Sequence, residues 1–222
     1  MTAKHDYLRS DAATLSIPAQ RGLLRIPRRL EFLTDSLPPA PATVLDVGCA
    51  GGYVGVLLKR LGYDVTGVEL NGQMAQQARR NGLTVLQQDL EEPLPVPAAR
   101  FDAVHACEII EHLFDTEAFL LEMRRVLRPG GVLVVSTPNL NSLGNRFRVL
   151  FGRALPMWGA SLADKHGGHI RVFNVATLDG LLRRTGFVPE SVTGSNSGRW
   201  IRYLSAMPTL SQLVLVKAVA RP

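Results

Sequence analysis

Cysteine is scarce in this chain, two residues in 222, too few for a disulfide-stapled scaffold and in keeping with a reducing compartment. Aromatic residues make up only 6%, which leaves little surface for stacking bases and weighs against a dedicated RNA-binding module. No apolar run approaches the roughly 20 residues that span a bilayer. The opening "MTAKHDYLRS" also lacks the apolar core of a secretion signal. A soluble, cytoplasmic protein is the expectation. The formal charge of +6 comes from arginines scattered along the chain rather than gathered in one run, so charge alone names no partner.

What is present is an alternation of two periods. The short runs "TVLDV" (43–47), "DVTGV" (64–68), "TVLQQ" (from 84), "FDAVHA" (101–106) and "VLVVST" (132–137) alternate with segments of helical spacing such as "YVGVLLKRLG" and "TEAFLLEMRRVLRPG". Strands that read as continuous apolar runs are buried on both faces, which predicts an α/β fold: a Rossmann-like, doubly wound, mostly parallel sheet with helices on both faces. Residues 1–40 read as an N-terminal helical extension around "AQRGLLRIPRRLEFLTDSL", ended by "PPAP". Residues 41–222 form the main domain. An insertion at about 139–170 interrupts the alternation, at the strand C-terminal end where such folds place substrate contacts. The tail "QLVLVKAVA" predicts a final strand.

Chemistry first enters at "VLDVGCAGGYVG" (44–55), a strand running into a glycine-rich turn and then a helix. Glycines there admit close approach of a ligand to the backbone and leave helix N–H groups free. Glu69 ends the second strand 21 positions after Gly48, the spacing at which an acid bonds both hydroxyls of a ribose. Asp46, just ahead of the turn, repels a pyrophosphate but suits a cationic sulfonium and its ammonium group. S-adenosylmethionine therefore fits better than NAD. Asp89, in "QQDLEEPLP", stands where an adenine amino group needs an acceptor.

On these motifs the chain resembles the class I S-adenosylmethionine-dependent methyltransferases. "VLDVGCAGG" is similar to the family's first motif, "GVEL" to its ribose-binding segment, "QQDLEEPLP" to its adenine loop and "LRPGGVLVVSTPN" to the region of its fifth strand. The resemblance implies a seven-stranded sheet with an antiparallel last strand. It also implies a cofactor site made of Asp46, Gly48, Cys49, Gly52, Glu69, Leu70, Asp89 and Leu90, with Cys107 lining the sulfonium end. Ala50 departs from the pattern, standing where the family has a second glycine.

Methyl transfer from an activated sulfonium needs mainly an acceptor held in line and helped to lose a proton. No stretch like the "NPPY" of amino-group methylators follows the fourth strand. "CEIIEHL" (107–113) stands there instead, which favours oxygen as the acceptor. Glu108, Glu111 and His112 are spaced i, i+3 and i+4, and they share one face if the strand turns into helix at Glu108. Two carboxylates on one face call for a cation or proton between them. The pattern resembles the Glu-x-x-Glu-His motif of the ubiquinone-biosynthesis O-methyltransferases and of small-RNA 2′-O-methyltransferases. That resemblance implies a divalent metal (Mg²⁺, Mn²⁺, Fe²⁺ or Zn²⁺) on Glu108, Glu111, His112 and a later histidine, His169 before His166. The competing expectation is metal-free, with His112 as base and the carboxylates capping the turn.

In the insertion, Leu143, Phe147, Leu150 and Phe151 share a helical face while Arg146, Arg148 and Arg153 lie elsewhere. A lid helix packed over the site is one expectation; a surface helix on anionic membrane, collecting a lipid-borne acceptor, is the other. The expected function is O-methylation of a small-molecule or lipid-linked hydroxyl. An RNA ribose 2′-O-methyltransferase and a catalytically inactive cofactor-binding partner protein are the alternatives. The sequence sets no oligomeric state.

Overall fold

The alternating periods close into one sheet. The computed structural model of the chain describes residues 27–155, 169–196 and 205–221. In chain order the elements are α1 (Pro27–Ser36), β1 (Thr43–Val47), α2 (Tyr53–Arg60), β2 (Asp64–Val68), α3 (Gly72–Arg80), β3 (Thr84–Leu86) and β4 (Phe101–Cys107). After a short 3-10 turn (Ile110–His112) come α4 (Thr116–Val126), β5 (Leu127–Pro138), α5 (Leu143–Leu150), α6 (Val175–Arg184), β6 (Phe187–Ser195) and β7 (Leu213–Ala220).

The strands line up as β3-β2-β1-β4-β5-β7-β6. β1 to β5 pair in parallel, and β7 slots antiparallel between β5 and β6. This is the expected doubly wound, seven-stranded sheet with its antiparallel last strand. Strand order reverses between β1 and β4, so the crevice at their C-terminal ends is where such a sheet takes a ligand.

Period-two alternation decides which helix covers which face. Leu45 and Val47 of β1 join Val104, Ala106, Leu133 and Val135 in a core closed by Phe119, Leu120 and Met123 of α4 and Leu178 and Leu182 of α6. Val44, Ala103 and Val134 point the other way, onto Leu33 of α1, Leu37 just after it, Leu58 of α2 and Ala75 and Ala78 of α3. Helix starts are written locally. Asn71 accepts from the Gln73 and Met74 amides, Asp115 from those of Glu117 and Ala118, and Asn174 forms a reciprocal capping box with Thr177.

The structure departs from the local sequence pattern at three places. The "RPGG" stretch lies inside β5 instead of ending a helix, because Leu127 already pairs with Phe101. β6, which carries Pro189 and a register shift between Pro189 and Ser191, is a strand that no alternation announces. β4 runs on to Cys107, and Glu108 then adopts a left-handed conformation (φ 58°) rather than starting a helix. The three polar residues of "CEIIEHL" are therefore not neighbours on one helical face. The described part of the N-terminal helix begins at Pro27, a residue pre-shaped for a first helical turn; 19–26 lie outside the described residues.

Candidate active site

The glycine turn sits at the strand-order reversal. Gly48 is left-handed (φ 66°), a conformation that favours glycine, and a Cβ there would meet Ile109 Cδ1 at 2.1 Å and force that side chain to move. Gly52 caps α2 with φ 79° and no side-chain hydrogen bond, so the first amides of that helix get no side-chain cap. Ala50 is also left-handed (φ 46°), a conformation that costs a residue with a Cβ roughly 1–2 kcal/mol. What holds it there is Glu69, whose Oε2 accepts from the Ala50 amide at 2.9 Å and whose Oε1 accepts from the Asn71 amide at 2.7 Å. The end of β2 thus braces the turn.

Around this turn the other expected cofactor residues take varied positions. Leu70, 61% exposed, stands beside Glu69. Leu90 packs against the α4 core. Asp89 is exposed, and its Oδ1 accepts from the Glu91 amide. Cys49 is buried, and burial together with the Asp46 and Glu69 carboxylates pushes its thiol up to about 12, so it is inert packing. Asp46 is almost fully buried; Oδ1 lies 2.7 Å from Nδ1 of the buried His105, and Oδ2 has no hydrogen-bond partner among the described residues.

The group expected to face an acceptor is assembled from two segments. The backbone carbonyl of Glu111 accepts from the amides of Ile170 at 2.9 Å and Arg171 at 3.1 Å, and Arg171 also reaches the Phe114 carbonyl. These bonds strap the chain returning from the insertion onto the 3-10 turn. They bring His169 against His112, edge to face, with ring centroids 4.7 Å apart. Ligand atoms of Glu111, His112 and His169 all lie within 4.8 Å of one another. Glu108 stands outside this group: its Oε1 accepts from Ser136 Oγ at 2.9 Å and lies 3.4 Å from the Arg29 guanidinium of α1. His166 lies outside the described residues.

Glu111 is 1% exposed, and neither carboxylate oxygen has a hydrogen-bond partner among the described residues. Burial, with the Glu108 carboxylate adding to it, pushes its carboxyl up to about 8; the nearby Thr137 hydroxyl pulls weakly the other way. A buried carboxyl with so little hydrogen-bond support favours a nearby cation or a proton. It lies at the wall of a narrow cavity of about 20 Å³, with Leu140, Leu155, His169, Arg171 and Val172.

Sequence reasoning missed Arg29, His105, Ser136 and Thr137. His105 and Ser136–Thr137 do carry a signal, as polar residues inside runs that are otherwise strand core; nothing in the sequence pairs Arg29 with Glu108.

A reversed strand order over a glycine turn braced by an acid on the next strand defines a nucleoside-cofactor enzyme of the Rossmann-like type. Residues 19–192 match the methyltransferase domain family, and the chain belongs to it: this is a class I S-adenosylmethionine-dependent methyltransferase. It is 33% identical over 181 residues to the ubiquinone biosynthesis O-methyltransferase of Xanthomonas axonopodis pv. citri, covering 78% of this chain and 74% of that one. Among solved structures it is similar to a methyltransferase of Thermotoga maritima, with a TM-score of 0.66, 22% identity and 87% of both chains covered. The [4+2]-cyclase SpnF also matches, with a TM-score of 0.66 and 19% identity over 87% of this chain and 81% of that one. A fold shared with a protein named as a cyclase shows architecture alone, so the reaction must be argued from the site.

Proposed function

We propose that this methyltransferase acts on oxygen, transferring the methyl group to a hydroxyl of an amphiphilic small molecule or lipid-linked acceptor, with Glu111, His112 and His169 holding a divalent cation. The observation that carries this reading is the unpartnered, buried Glu111 carboxylate meeting two imidazoles at a narrow cavity. Two imidazoles and a carboxylate without a thiolate suit Mg²⁺, Mn²⁺, Fe²⁺ or Zn²⁺. A cation held by these residues would help an acceptor hydroxyl lose its proton near neutral pH. The glycine turn holds the donor across the crevice from this group. The O-methyltransferase name of the Xanthomonas relative supports the choice of oxygen. Chelation tests the metal: EDTA is expected to lower turnover at least about tenfold, with recovery on adding back metal. Unchanged turnover after chelation leaves His112 as a metal-free base and removes the cation from the account.

The acceptor's lipid character rests on α5. Phe147, Val149, Leu150 and Phe151 are exposed, the last two 73% and 69%, while Asn145 is the buried residue of the helix. A lid packed by its apolar face does not match this. An apolar ridge flanked by Arg146, Arg148 and Arg153 suits an anionic bilayer surface, and no described helix is long and apolar enough to cross one. The protein is expected to sediment with phosphatidylglycerol vesicles, and the double change Leu150→Ser and Phe151→Ser to weaken that roughly tenfold or more. Equal behaviour with neutral and anionic vesicles, or no binding to either, would return α5 to an ordinary surface helix.

A further inference from the structure

Three of the five residues in the glycine turn are left-handed: Gly48 (φ 66°), Ala50 (φ 46°) and Gly52 (φ 79°). Glycine adopts this conformation freely, whereas Ala50 carries a Cβ and leaves it when released. Backbone bonds close part of the turn, from the Cys49 amide to the Val68 carbonyl at 3.0 Å and from the Gly52 amide to the Cys49 carbonyl at 2.8 Å. Glu69 takes the Ala50 amide and so fixes the peptide entering that residue. The strain at Ala50 is contained only if the chain leaving it is held as well.

That second hold comes from α3. Asn81, the residue that ends this helix, donates from Nδ2 to the Gly51 carbonyl at 2.8 Å, across 30 positions of chain. One helical turn earlier, Gln77 donates from Nε2 to the Tyr53 hydroxyl at 2.5 Å. The Tyr53 ring lies against Gly51, where a Cβ would meet its Cε2 at 2.6 Å. Residues four apart share a helical face, so one face of α3 grips the turn and the start of α2 together. The end of the helix does not need the Asn81 side chain. Its backbone amide already bonds to the Gln77 carbonyl, and the left-handed Gly82 (φ 88°) supplies the stop. With the Ala50 amide and the Gly51 carbonyl both held, Ala50 cannot turn back to the right-handed region without breaking one of the two bonds.

We propose that Asn81 is a positioning residue for cofactor binding: through the Gly51 carbonyl it keeps Ala50 left-handed and the turn in the shape that S-adenosylmethionine meets, with Gln77 and Tyr53 in support. Neither the acceptor nor a metal enters. The test is a double-mutant cycle on the full-length protein, read by isothermal calorimetry with S-adenosylhomocysteine, which needs no acceptor. Asn81→Ala is expected to weaken binding roughly three- to tenfold, the range for one lost hydrogen bond. Asn81→Asp, the same size without the donor, is expected to lose at least as much. Ala50→Gly carries no Cβ at the left-handed position, so it is expected to bind at least as tightly as the wild type and to hold the further loss from Asn81→Ala below about twofold. Melting curves of the four proteins separate this from a role in ending α3, which would lower Tm equally in both backgrounds and leave the dissociation constant alone. An unchanged dissociation constant in folded Asn81→Ala and Asn81→Asp overturns the proposal. So does an equal loss of affinity in both backgrounds, or a failure of Ala50→Gly to bind.

Discussion

Replacing Glu111 by glutamine is expected to stabilise the metal-free protein at alkaline pH and to remove most of its turnover. The carboxyl is raised in the folded chain from 4.5 to about 8 by burial and by Glu108, so the folded state binds that proton more tightly than the unfolded one. The stability this proton contributes is fully present below pH 4.5 and is lost as pH climbs through about 8. Glutamine keeps the shape and cannot ionise. The wild type and Glu111→Gln should therefore melt with the same offset across pH 3–4 and diverge above, the variant gaining ~2–4 kcal/mol by pH 8.5. For a chain of this size that is roughly 5–15 °C in Tm. Turnover of the same variant should fall about a hundredfold or more, because neither a cation nor a proton is served by a neutral amide. Melting curves that stay parallel from pH 4 to 8.5 would mean that Glu111 is solvated and ordinary. A divalent cation should reverse the pattern in the wild type, raising its Tm most where the carboxylate is charged, and leave Glu111→Gln unmoved.

The second large effect concerns the donor. Glu69→Ala should weaken S-adenosylmethionine binding by about 1.5–3 kcal/mol, or roughly 10- to 150-fold, as expected for losing a charge-assisted hydrogen bond. The structure adds a second reason. Glu69 also accepts from the Ala50 amide, so its loss frees the turn that must present its backbone to the ligand. Isothermal calorimetry on a variant with a wild-type circular dichroism spectrum measures this directly. An unchanged dissociation constant would remove Glu69 from the cofactor site, and equally tight binding of NAD would contradict the choice of cofactor.

The glycine turn and the acid that braces it were legible because they are local. A strand, a glycine turn and an acid on the next strand are fixed by chain spacing, and β1 and β2 are parallel neighbours in register, Val47 beside Val68. The acceptor half was only partly so. The pairing of His112 with His169 depends on backbone bonds from residues 170 and 171 to the Glu111 carbonyl, a tertiary strap that no local period encodes. Glu108 fell out of the group for a reason equally invisible in spacing: one left-handed residue at the strand end turns its carboxylate toward Ser136 and Arg29. β6 was hidden by Pro189 and its bulge. Asp46 was singled out for its charge, yet the histidine it holds lies 59 positions away and meets it only across the sheet.

The central claim is transfer of a methyl group from S-adenosylmethionine to oxygen at the Glu111, His112 and His169 site. Its most direct test is incubation of the purified enzyme with S-adenosylmethionine labelled in the methyl group and a cell extract resolved into lipids, small molecules and RNA, followed by mass spectrometry of what gains label. The account predicts a labelled methyl ether on a hydroxyl-bearing amphiphile, formed by the wild type and absent with Glu111→Gln. Label on nitrogen or confined to RNA ribose would contradict it, as would labelling of the amphiphile undiminished in Glu111→Gln.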